Sequence, residues 1–421
     1  MASSADRKTI IALSLITAVC LAGDSMLYII LPIQWLEIGL NSLVQVGVLL
    51  SINRFVRLPL TPLIGYIYKK LRFHHGILIA VILAGITTFS YALVDGFSGW
   101  ILLRSLWGIS WSLFKMGAFL LIINLTSEIN RGNLIGTYNG LYRLGSLVGM
   151  ILGGFLAEAF GLKVISMVLG LIVFATIPFT LKYLPRIIVQ DPKKVEKPNA
   201  LRSLRLLKES RLVWVFITAF LSVMILESMF MAMLSHLIHL QNAAHFHMFG
   251  LILGAASIAG LLQAVRWGGT PFILPKIGEI VDGMKQKTYF LSFFLLVATA
   301  LLFIIPFNIP IFIWWTLLLF HLLITSCIAT IIDTIFSSSL TKSNNILMVT
   351  IYTIIVDLGA AVGPILGYVL EGIIGIAKLL WFCAAIFLML TVKWVIISSY
   401  TKRNNTNCNQ SLYIKKLDKS L

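Results

Sequence analysis

The sequence predicts an all-α membrane protein in which twelve transmembrane helices form two pseudo-symmetric six-helix bundles. Three observations lead to this prediction. Of the 421 residues, 59% are hydrophobic and only 12% are charged, about half the charged fraction of a typical soluble domain. The mean hydropathy is +0.96, and the chain contains twelve long apolar runs. Its two halves also share repeated features. The composition therefore excludes a soluble globular protein.

The twelve apolar runs are each long enough to cross a bilayer. A helix needs about 20 mostly apolar residues to cross roughly 30 Å of hydrocarbon. The first run follows Arg7 and Lys8 as a signal peptide would, but it continues past Asp24 and is interpreted as a retained helix. The predicted spans, numbered 1 to 12, cover residues 9–33, 42–68, 74–94, 99–124, 132–160, 164–184, 212–238, 244–270, 288–306, 309–340, 345–372 and 375–400.

The loop charges predict the orientation of these spans. Nearly all Lys and Arg residues outside the spans fall in one set of alternate loops and in the two termini, whereas the opposite loops contain only Lys163 and Lys378. Because positive loops stay on the cytoplasmic side, both termini are expected in the cytoplasm of a multi-pass plasma-membrane protein. The net charge of +17 is thus explained by topology, and no nucleic-acid partner is expected.

The longest loop divides the chain into two halves. Residues 1–184 are predicted to form an N-terminal bundle and residues 212–400 a C-terminal bundle. In the linker 185–211, basic residues alternate with leucines, which predicts an amphipathic helix at the lipid surface, with a solvated linker as the alternative. The tail, 401–421, is rich in Asn, Ser and Lys and is expected to be disordered.

An internal repeat relates the two halves. Asp24-Ser-Met in span 1 matches Glu227-Ser-Met in span 7, and Pro62-Leu-Ile-Gly matches Pro275-Lys-Ile-Gly. The glycines of span 5 recur in span 11 at a constant offset of 214 residues. Two related bundles imply a pseudo-twofold body with a cleft between its halves. The residues predicted to permit close helix packing are Gly145, Gly149, Gly153, Gly363, Pro364 and Gly367.

Ten charged residues, six basic and four acidic, lie in the interiors of the predicted spans, away from their ends. An ionised group within the hydrocarbon costs several kcal/mol, so these residues are expected to face a watery cleft or a partner. None lies in the interior of spans 3, 6, 9 or 12, Lys393 being at a membrane-facing end of span 12, so these spans are expected to face lipid. The basic residues are Arg54, Arg57, Arg104, Lys115, Arg143 and Arg266, and the acidic residues are Asp24, Glu227, Asp333 and Asp357.

These features resemble the major facilitator superfamily over roughly residues 9–400. Gly65-Tyr-Ile-Tyr-Lys69-Lys70 after span 2 and Gly278-Glu-Ile-Val-Asp282 after span 8 are similar to the gating loop of that family, although Lys69 replaces its acid. The resemblance implies a transporter that works by alternating access.

Two further motifs are similar to those of the same family. Arg104-Ser-Leu-Trp-Gly in span 4 resembles a motif whose arginine takes part in proton coupling. The glycine-rich run that begins at Gly145 resembles that of proton-coupled drug and metabolite antiporters.

The four membrane acids are the candidates for proton coupling. Asp24 and Glu227 are the sharpest, because both lie deep in the bilayer; the alternative for Asp24 is a static ion pair with Arg54, Arg57 or Arg104. Asp357 occupies the position in span 11 that Arg143 occupies in span 5, so the two are expected to face each other across the cleft. That contact either opens during transport or is a permanent bridge.

The basic residues and one histidine are candidates for substrate binding or charge relay. Lys115 and Asp333 form a looser symmetric pair. His321 could titrate near neutral pH, with a packing role as the alternative. No cofactor or metal site is expected, and the outer-loop histidines at 239, 245 and 247 are only a weak metal candidate.

The sequence predicts a secondary active transporter for a small organic solute. No Walker A sequence is present, so ATP is not expected to drive it directly. Proton-coupled efflux by a monomer is favoured. The surplus of two positive charges in the cleft favours an anionic or amphiphilic substrate.

Several alternatives remain open. One is an uptake symporter, and another is a lipid or amphiphile flippase, which predicts a wide lateral opening with an apolar lining. Outside transport, an intramembrane enzyme predicts catalytic groups at one membrane face. A sensor predicts ligand binding without flux.

Overall fold

A computed structural model describes residues 4–125, 128–185, 210–241, 246–248, 251–284, 286–338 and 345–417. Helices dominate both halves of this part of the chain. A short 3₁₀ turn, Trp35–Ile38, follows the first helix. The helices of the first half are α1 Ser4–Gln34, α2 Leu43–Lys70, α3 Phe73–Ser90, α4 Phe97–Leu125, α5 Glu128–Phe160, α6 Leu162–Ala175 and α7 Ile177–Tyr183.

The second half repeats this arrangement. Its seventh span consists of α8 Ser210–Leu221, a π-helical segment Ser222–Met229 and α9 Phe230–Gln241. A two-stranded antiparallel hairpin follows, with β1 Phe246–Met248 paired to β2 Leu251–Leu253. The remaining helices are α10 Ala255–Gly283, α11 Lys287–Ile304, α12 Ile311–Ser338, α13 Asn345–Ile374 and α14 Ile376–Leu417.

The predicted spans correspond to these helices in order, and eleven helices of the described part are long and apolar enough to cross a membrane. Span 8 is displaced: it was predicted at 244–270, but strands β1 and β2 lie within its first ten residues and α10 runs from Ala255 to Gly283. The prediction ended the span too early because charges and two prolines, Pro271 and Pro275, interrupt the apolar run. Neighbouring helices allow such breakers inside membrane helices.

The end of the second half also differs from expectation. The helix α14 continues to Leu417, whereas the sequence predicted a disordered tail from residue 401. Residues 401–417 contain neither Gly nor Pro, so no helix-breaking residue ends α14 there. The amphipathic linker helix predicted within 185–211 lies almost entirely outside the described residues.

The repeated glycines bring α5 against α1 and α13 against the seventh span. Gly145 and Gly149 contact the backbone oxygens of Ala18 and Ala22, and a Cβ at Gly153 would lie 2.7 Å from Cγ of Met26. In the second half, Gly359 and Gly363 contact the backbone oxygens of residues 220 and 224. The same close helix pair is therefore built twice.

Among the described residues, the closest backbone approaches between the two halves lie on one side of the membrane region. We call the side of Lys8 and Lys70 the termini side, and the side where Asp95 pairs with Lys163 at 2.9 Å the opposite side. On the opposite side, a Cβ at Gly154 of α5 would lie 2.8 Å from the backbone oxygen of Ala256 of α10.

Other contacts also join the halves on the opposite side. Ser257 Oγ donates to Glu158 Oε2 at 2.5 Å, and a Cβ at Gly47 of α2 would lie 2.7 Å from the backbone oxygen of Pro364 of α13. On the termini side, Gly136 and Gly140 of α5 have open space where a side chain would be. The halves therefore splay apart towards the termini side.

The helices that lack internal charges carry exposed apolar side chains. Ile82 of α3, Leu171 of α6, Phe293 of α11 and Met389 of α14 are all exposed. Exposed apolar surface of this kind is suited to lipid contact rather than to water. These helices thus form the outer layer, and the other helices surround the space between the halves.

The glycine packing yields a direct stability test. Replacing Gly149 with Ala places a methyl group against the Ala22 carbonyl and should cost about 1–3 kcal/mol through overpacking. Replacing Gly136 with Ala is the matched control, because the added methyl meets no neighbour and Ala favours helix by roughly 0.5–1 kcal/mol over Gly. The measurement is the free energy of unfolding in mixed micelles. Equal losses in the two variants would contradict the packing described here.

Candidate functional site

A polar cavity lies between the two halves. Two connected chambers of about 380 and 280 Å³ share Lys115, Arg143, Glu227, Trp267 and Asp357 among their lining residues. We call these chambers together the central cavity. Its lining includes every ionisable residue that the sequence placed inside a span, with the single exception of Arg104. Nine of the ten charged residues in the span interiors therefore line one space between the halves.

Asp24 and Arg104 form a buried ion pair inside the first half. The Arg104 guanidinium bonds to Asp24 Oδ1, and its Nε donates to the backbone oxygen of Leu49 at 2.8 Å. Asn53 Nδ2 lies 3.5 Å from the same Asp24 oxygen. The Asp24 side chain is only 10% exposed. Of the three arginines proposed as static partners for Asp24, Arg104 is the one that pairs with it.

Glu227, the related acid of the second half, is held much more loosely. Its side chain is 34% exposed, and its Oε1 lies 3.9 Å from Arg266 Nη2. Arg266 is almost fully buried and donates through Nε to Ser326 Oγ at 3.0 Å. Its Nη1 is buried without a hydrogen-bond partner among the described residues. Glu227 is therefore accessible from the cavity, with a buried cation behind it.

A one-residue insertion accompanies this difference. The repeated glycines show which residues of the two halves correspond. Gly145 and Gly149 contact residues 18 and 22, and their counterparts Gly359 and Gly363 contact residues 220 and 224, so corresponding residues are offset by 202. Further along the span, Gly153 contacts Met26 and its counterpart Gly367 contacts Met229, so the offset has increased to 203. The extra residue falls within the π-helical segment Ser222–Met229, which contains Glu227. Short π segments arise from such insertions and occur often at functional sites.

Two polar contacts cross between the halves inside the cavity. Arg57 Nη2 of α2 lies 3.7 Å from Asp357 Oδ1 of α13. Arg54 Nη1, also on α2, donates to Ser228 Oγ of the π segment at 3.3 Å. The Arg57–Asp357 pair remains partly exposed to the cavity. These contacts connect the halves without burying the charges completely.

The predicted contact between Arg143 and Asp357 is not formed. The structure pairs Asp357 with Arg57, and the Arg143 guanidinium instead lies 5.4 Å from the Trp267 ring centroid. The reason is the pseudo-twofold relation. Corresponding helices α5 and α13 are related by the axis, so each packs against a different helix of the other half, α5 against α10 and α13 against α2. Corresponding positions therefore do not become neighbours.

Trp267 lies between two arginines. The Arg266 guanidinium is 5.1 Å from its ring centroid, and Arg143 approaches the same ring from the other half. Cations over an indole face are stabilised by its quadrupole without being neutralised. Both guanidinium groups thus retain their positive charge for another ligand.

Lys115 and Asp333 line the same chamber without pairing. Asp333 Oδ1 accepts a hydrogen bond from Tyr352 Oη at 2.5 Å. Within the described residues, three cavity cations have no carboxylate within 4.0 Å, namely Arg54, Lys115 and Arg143, whereas Asp333 is the acid without a cation. The paired charges cancel, and two positive charges remain in excess.

His321 does not reach the central cavity. Its ring is fully buried against Phe230, with centroids 4.1 Å apart. This position fits the packing alternative.

The gating-loop residues Gly65 and Gly278 lie inside α2 and α10, and Lys70 Nζ lies 5.2 Å from the Tyr66 ring centroid. The side chains of Lys69 and Asp282 are outside the described residues.

The described residues contain no group of three or more His, Cys, Asp or Glu side chains that could hold a metal ion. His239 is exposed at the end of α9, and His236 pairs instead with Glu371 at 2.7 Å. His245 lies outside the described part.

Several residues of the site were missed from the sequence. Asn53, Trp267, Tyr352 and Ser228 all contact a charged residue of the cavity. The repeat contained a signal for Asn53. Pro62 and its counterpart Pro275 are 213 residues apart, and the same offset aligns Asn53 with Arg266, which was already a candidate. Each of these two residues lies beside the acid of its own half. The other residues are uncharged and carry no comparable sequence signal.

The two acids should differ in their effect on stability. Replacing Asp24 with Asn leaves Arg104 as an unpaired buried charge, which should cost about 3–5 kcal/mol. Replacing Glu227 with Gln is the matched comparison and should have a small effect, because Glu227 is partly exposed and loosely paired. The measurement is thermal unfolding of the purified variants. A larger loss for the Glu227 variant would refute the assignment of Asp24 as the structural acid.

The π segment can be tested by deletion. Removing Ile225 should restore a constant offset of 202 along the seventh span and leave the protein folded, because α1 makes the same glycine contacts without the extra residue. Removing Gly23 from α1 is the control. It should abolish folding, because α1 contains no inserted residue and the deletion would shift its later residues away from their contacts with α5. Monodispersity in detergent and the melting temperature report the outcome. Equal damage from the two deletions would show that the π segment is not an insertion.

Comparisons with known proteins agree with this architecture. The sequence model of the Major Facilitator Superfamily matches residues 13–320. No curated protein sequence matches the chain.

Solved structures show the same fold. A bacterial homologue of the human lysosomal transporter Spinster, inward-facing and unoccupied, has a TM-score of 0.69 at 13% identity, with 95% of this chain and 97% of that chain covered. The nucleoside transporter NupG has a TM-score of 0.70 at 16% identity, with 93% and 98% covered. The family match extends over most of the chain, and the chain therefore belongs to the major facilitator superfamily.

Proposed function

We propose that this protein is a proton-coupled secondary transporter that moves a small organic anion across the membrane by alternating access. The central cavity is the observation that carries the proposal. It lies between two related halves, retains two positive charges after its ion pairs are matched, and opens towards the termini side. An anionic solute would complete this charge balance.

The contacts between the halves support an alternating mechanism. On the opposite side, Glu158 and Ser257 join α5 to the first turn of α10, and Gly47 packs against the Pro364 backbone. Access from that side requires these contacts to separate while the termini side closes. The partly exposed Arg57–Asp357 pair lies near the interface and can break at a lower cost than a fully desolvated pair.

Glu227 is proposed as the proton carrier. Glu227 Oε1 lies 3.9 Å from Arg266 Nη2, and the Arg266 Nη1 atom has no hydrogen-bond partner within the part of the chain that the structure describes. Protonation of Glu227 removes its negative charge and leaves the Arg266 guanidinium available to an anion. Proton and anion would then bind together. This coupling favours the uptake symporter over the efflux antiporter, which the sequence alone had favoured.

The intramembrane-enzyme alternative predicts reactive groups at one membrane face. The charges of the central cavity instead come from both halves and from several depths along the helices. We also propose that the termini side is cytoplasmic, in accordance with the loop charges, and that the protein acts as a monomer in the plasma membrane.

The test is transport into sealed proteoliposomes. A panel of organic anions and matched uncharged solutes is first screened for thermal stabilisation of the purified protein, since a ligand of the native state raises its apparent stability. A stabilising anion is then assayed with an imposed gradient, acidic outside. We expect accumulation that follows the pH gradient and collapses with a protonophore.

Glu227→Gln separates coupling from binding. This variant should retain exchange of the anion at zero gradient but lose accumulation driven by the gradient. Glu37→Gln is the matched control, because Glu37 is exposed outside the cavity. Accumulation by Glu227→Gln equal to that of the wild type would refute the proton role. Stabilisation by uncharged solutes alone would refute the anionic substrate.

A further inference from the structure

A second opening, which we call the lateral cleft, separates α5 from α10 on the termini side. Its volume is about 350 Å³. Arg143, Trp267, Thr270 and Leu274 line both this cleft and the central cavity, so the two spaces are continuous. The central cavity therefore has an exit between two helices as well as one along the membrane normal.

The cleft results from the way α5 and α10 diverge. On the opposite side a Cβ at Gly260 of α10 would lie 2.5 Å from the Met150 oxygen of α5. Towards the termini side, Gly136 and Gly140 have open space, and a Cβ at Gly268 would lie 3.9 Å from its nearest neighbour. Leu144 lines the cleft and is 49% exposed. The cleft therefore leads from the charged cavity to the surrounding lipid.

The chemistry of the cleft changes along its length. Apolar side chains supply most of its walls, while Asn139 and Thr270 add uncharged polar groups. Arg143 stands at the inner end, and among the described residues of the cleft lining it is the ionisable one, with no acid beside it. The residues that supply the apolar walls are Leu144, Leu147, Pro271, Leu274 and Pro275.

From this arrangement we infer that the transported anion is a single-chain amphiphile that exchanges with the bilayer leaflet on the termini side. Its anionic headgroup binds at Arg143 and Lys115 in the central cavity, and its chain lies in the lateral cleft. The inference rests on the proposed function and narrows its substrate class.

Two physical arguments favour an amphiphile over a water-soluble anion. An apolar slot between a charged cavity and lipid is costly to fill with water, whereas an alkyl chain gains the free energy of burial there. The volume is at the lower end of the range for pockets that hold organic ligands, which suits one chain rather than two. A water-soluble anion needs only the opening along the membrane normal.

The experiment compares three probes with the full-length protein in nanodiscs of neutral phospholipid. Dodecyl phosphate carries both charge and chain, ethyl phosphate carries the charge with a minimal chain, and dodecylphosphocholine carries the chain without net charge. Dodecyl phosphate should bind about tenfold or more tightly than ethyl phosphate, because the additional methylenes are buried in the cleft. It should also bind more tightly than dodecylphosphocholine, whose chain enters the bilayer equally well.

Two variants divide the site. Gly140→Leu fills the open wall of the cleft, and it should weaken dodecyl phosphate about tenfold while leaving ethyl phosphate unchanged. Arg143→Gln should weaken both phosphates. Gly372→Leu is the matched control, because Gly372 also has open space around it but lies on the opposite side, at the end of α13.

Equal affinities for the two phosphates, or equal effects of Gly140→Leu and Gly372→Leu, would overturn the amphiphile inference. Those results would leave the proposed transport function intact, because a soluble anion from the solute panel would still accumulate with the pH gradient. Failure of the transport function is a separate result: no anion would accumulate, even where dodecyl phosphate binds.

Discussion

The high cost of an ionised side chain in hydrocarbon is the constraint on which this structure depends. A chain with ten such residues inside its spans is stable only if the fold removes them from lipid. The central cavity receives all of them except Arg104, and Arg104 is neutralised by Asp24 inside the first half. The site and the fold therefore have a common cause, because the cavity that could bind a solute is the same space that makes the charges tolerable.

The glycine contacts allow that space to form. Where Gly145 and Gly149 meet the α1 backbone, α5 is held close within its own half, and α13 is held in the same way by Gly359 and Gly363. Close packing inside each half leaves the closest backbone approaches between the halves on the opposite side, where Gly154 meets Ala256 and Gly47 meets Pro364. Two bundles that separate towards one side can rock about the contacts that join them at the other.

Much of this arrangement could be predicted from the sequence, and the failures share a physical cause. Burial cost and periodicity are properties of single helices, so the spans, the repeat and the set of cavity charges followed from them. Contacts between helices depend on where the symmetry axis lies, which a sequence repeat does not reveal. Asp357 was therefore assigned to Arg143, its counterpart in the repeat, whereas its partner in the structure is Arg57. The lateral cleft depends on the conformational state as well. Gly136 and Gly140, which line the cleft, carry no sequence signal that distinguishes them from other glycines.

The two halves differ at the position of their related acids, Asp24 and Glu227. Two copies of one bundle would carry two equivalent acids. Asp24, however, pairs with Arg104. In the second half, the helix that corresponds to that of Arg104 carries His321 instead, which is buried against Phe230. With no arginine there, Glu227 depends on Arg266 and faces the cavity after the π insertion. Asp24 is buried in its ion pair, whereas Glu227 keeps the partial exposure that the proposed protonation would require. In the proposed mechanism, this loss of symmetry would allow a pseudo-symmetric body to couple the movement of a proton to that of an anion.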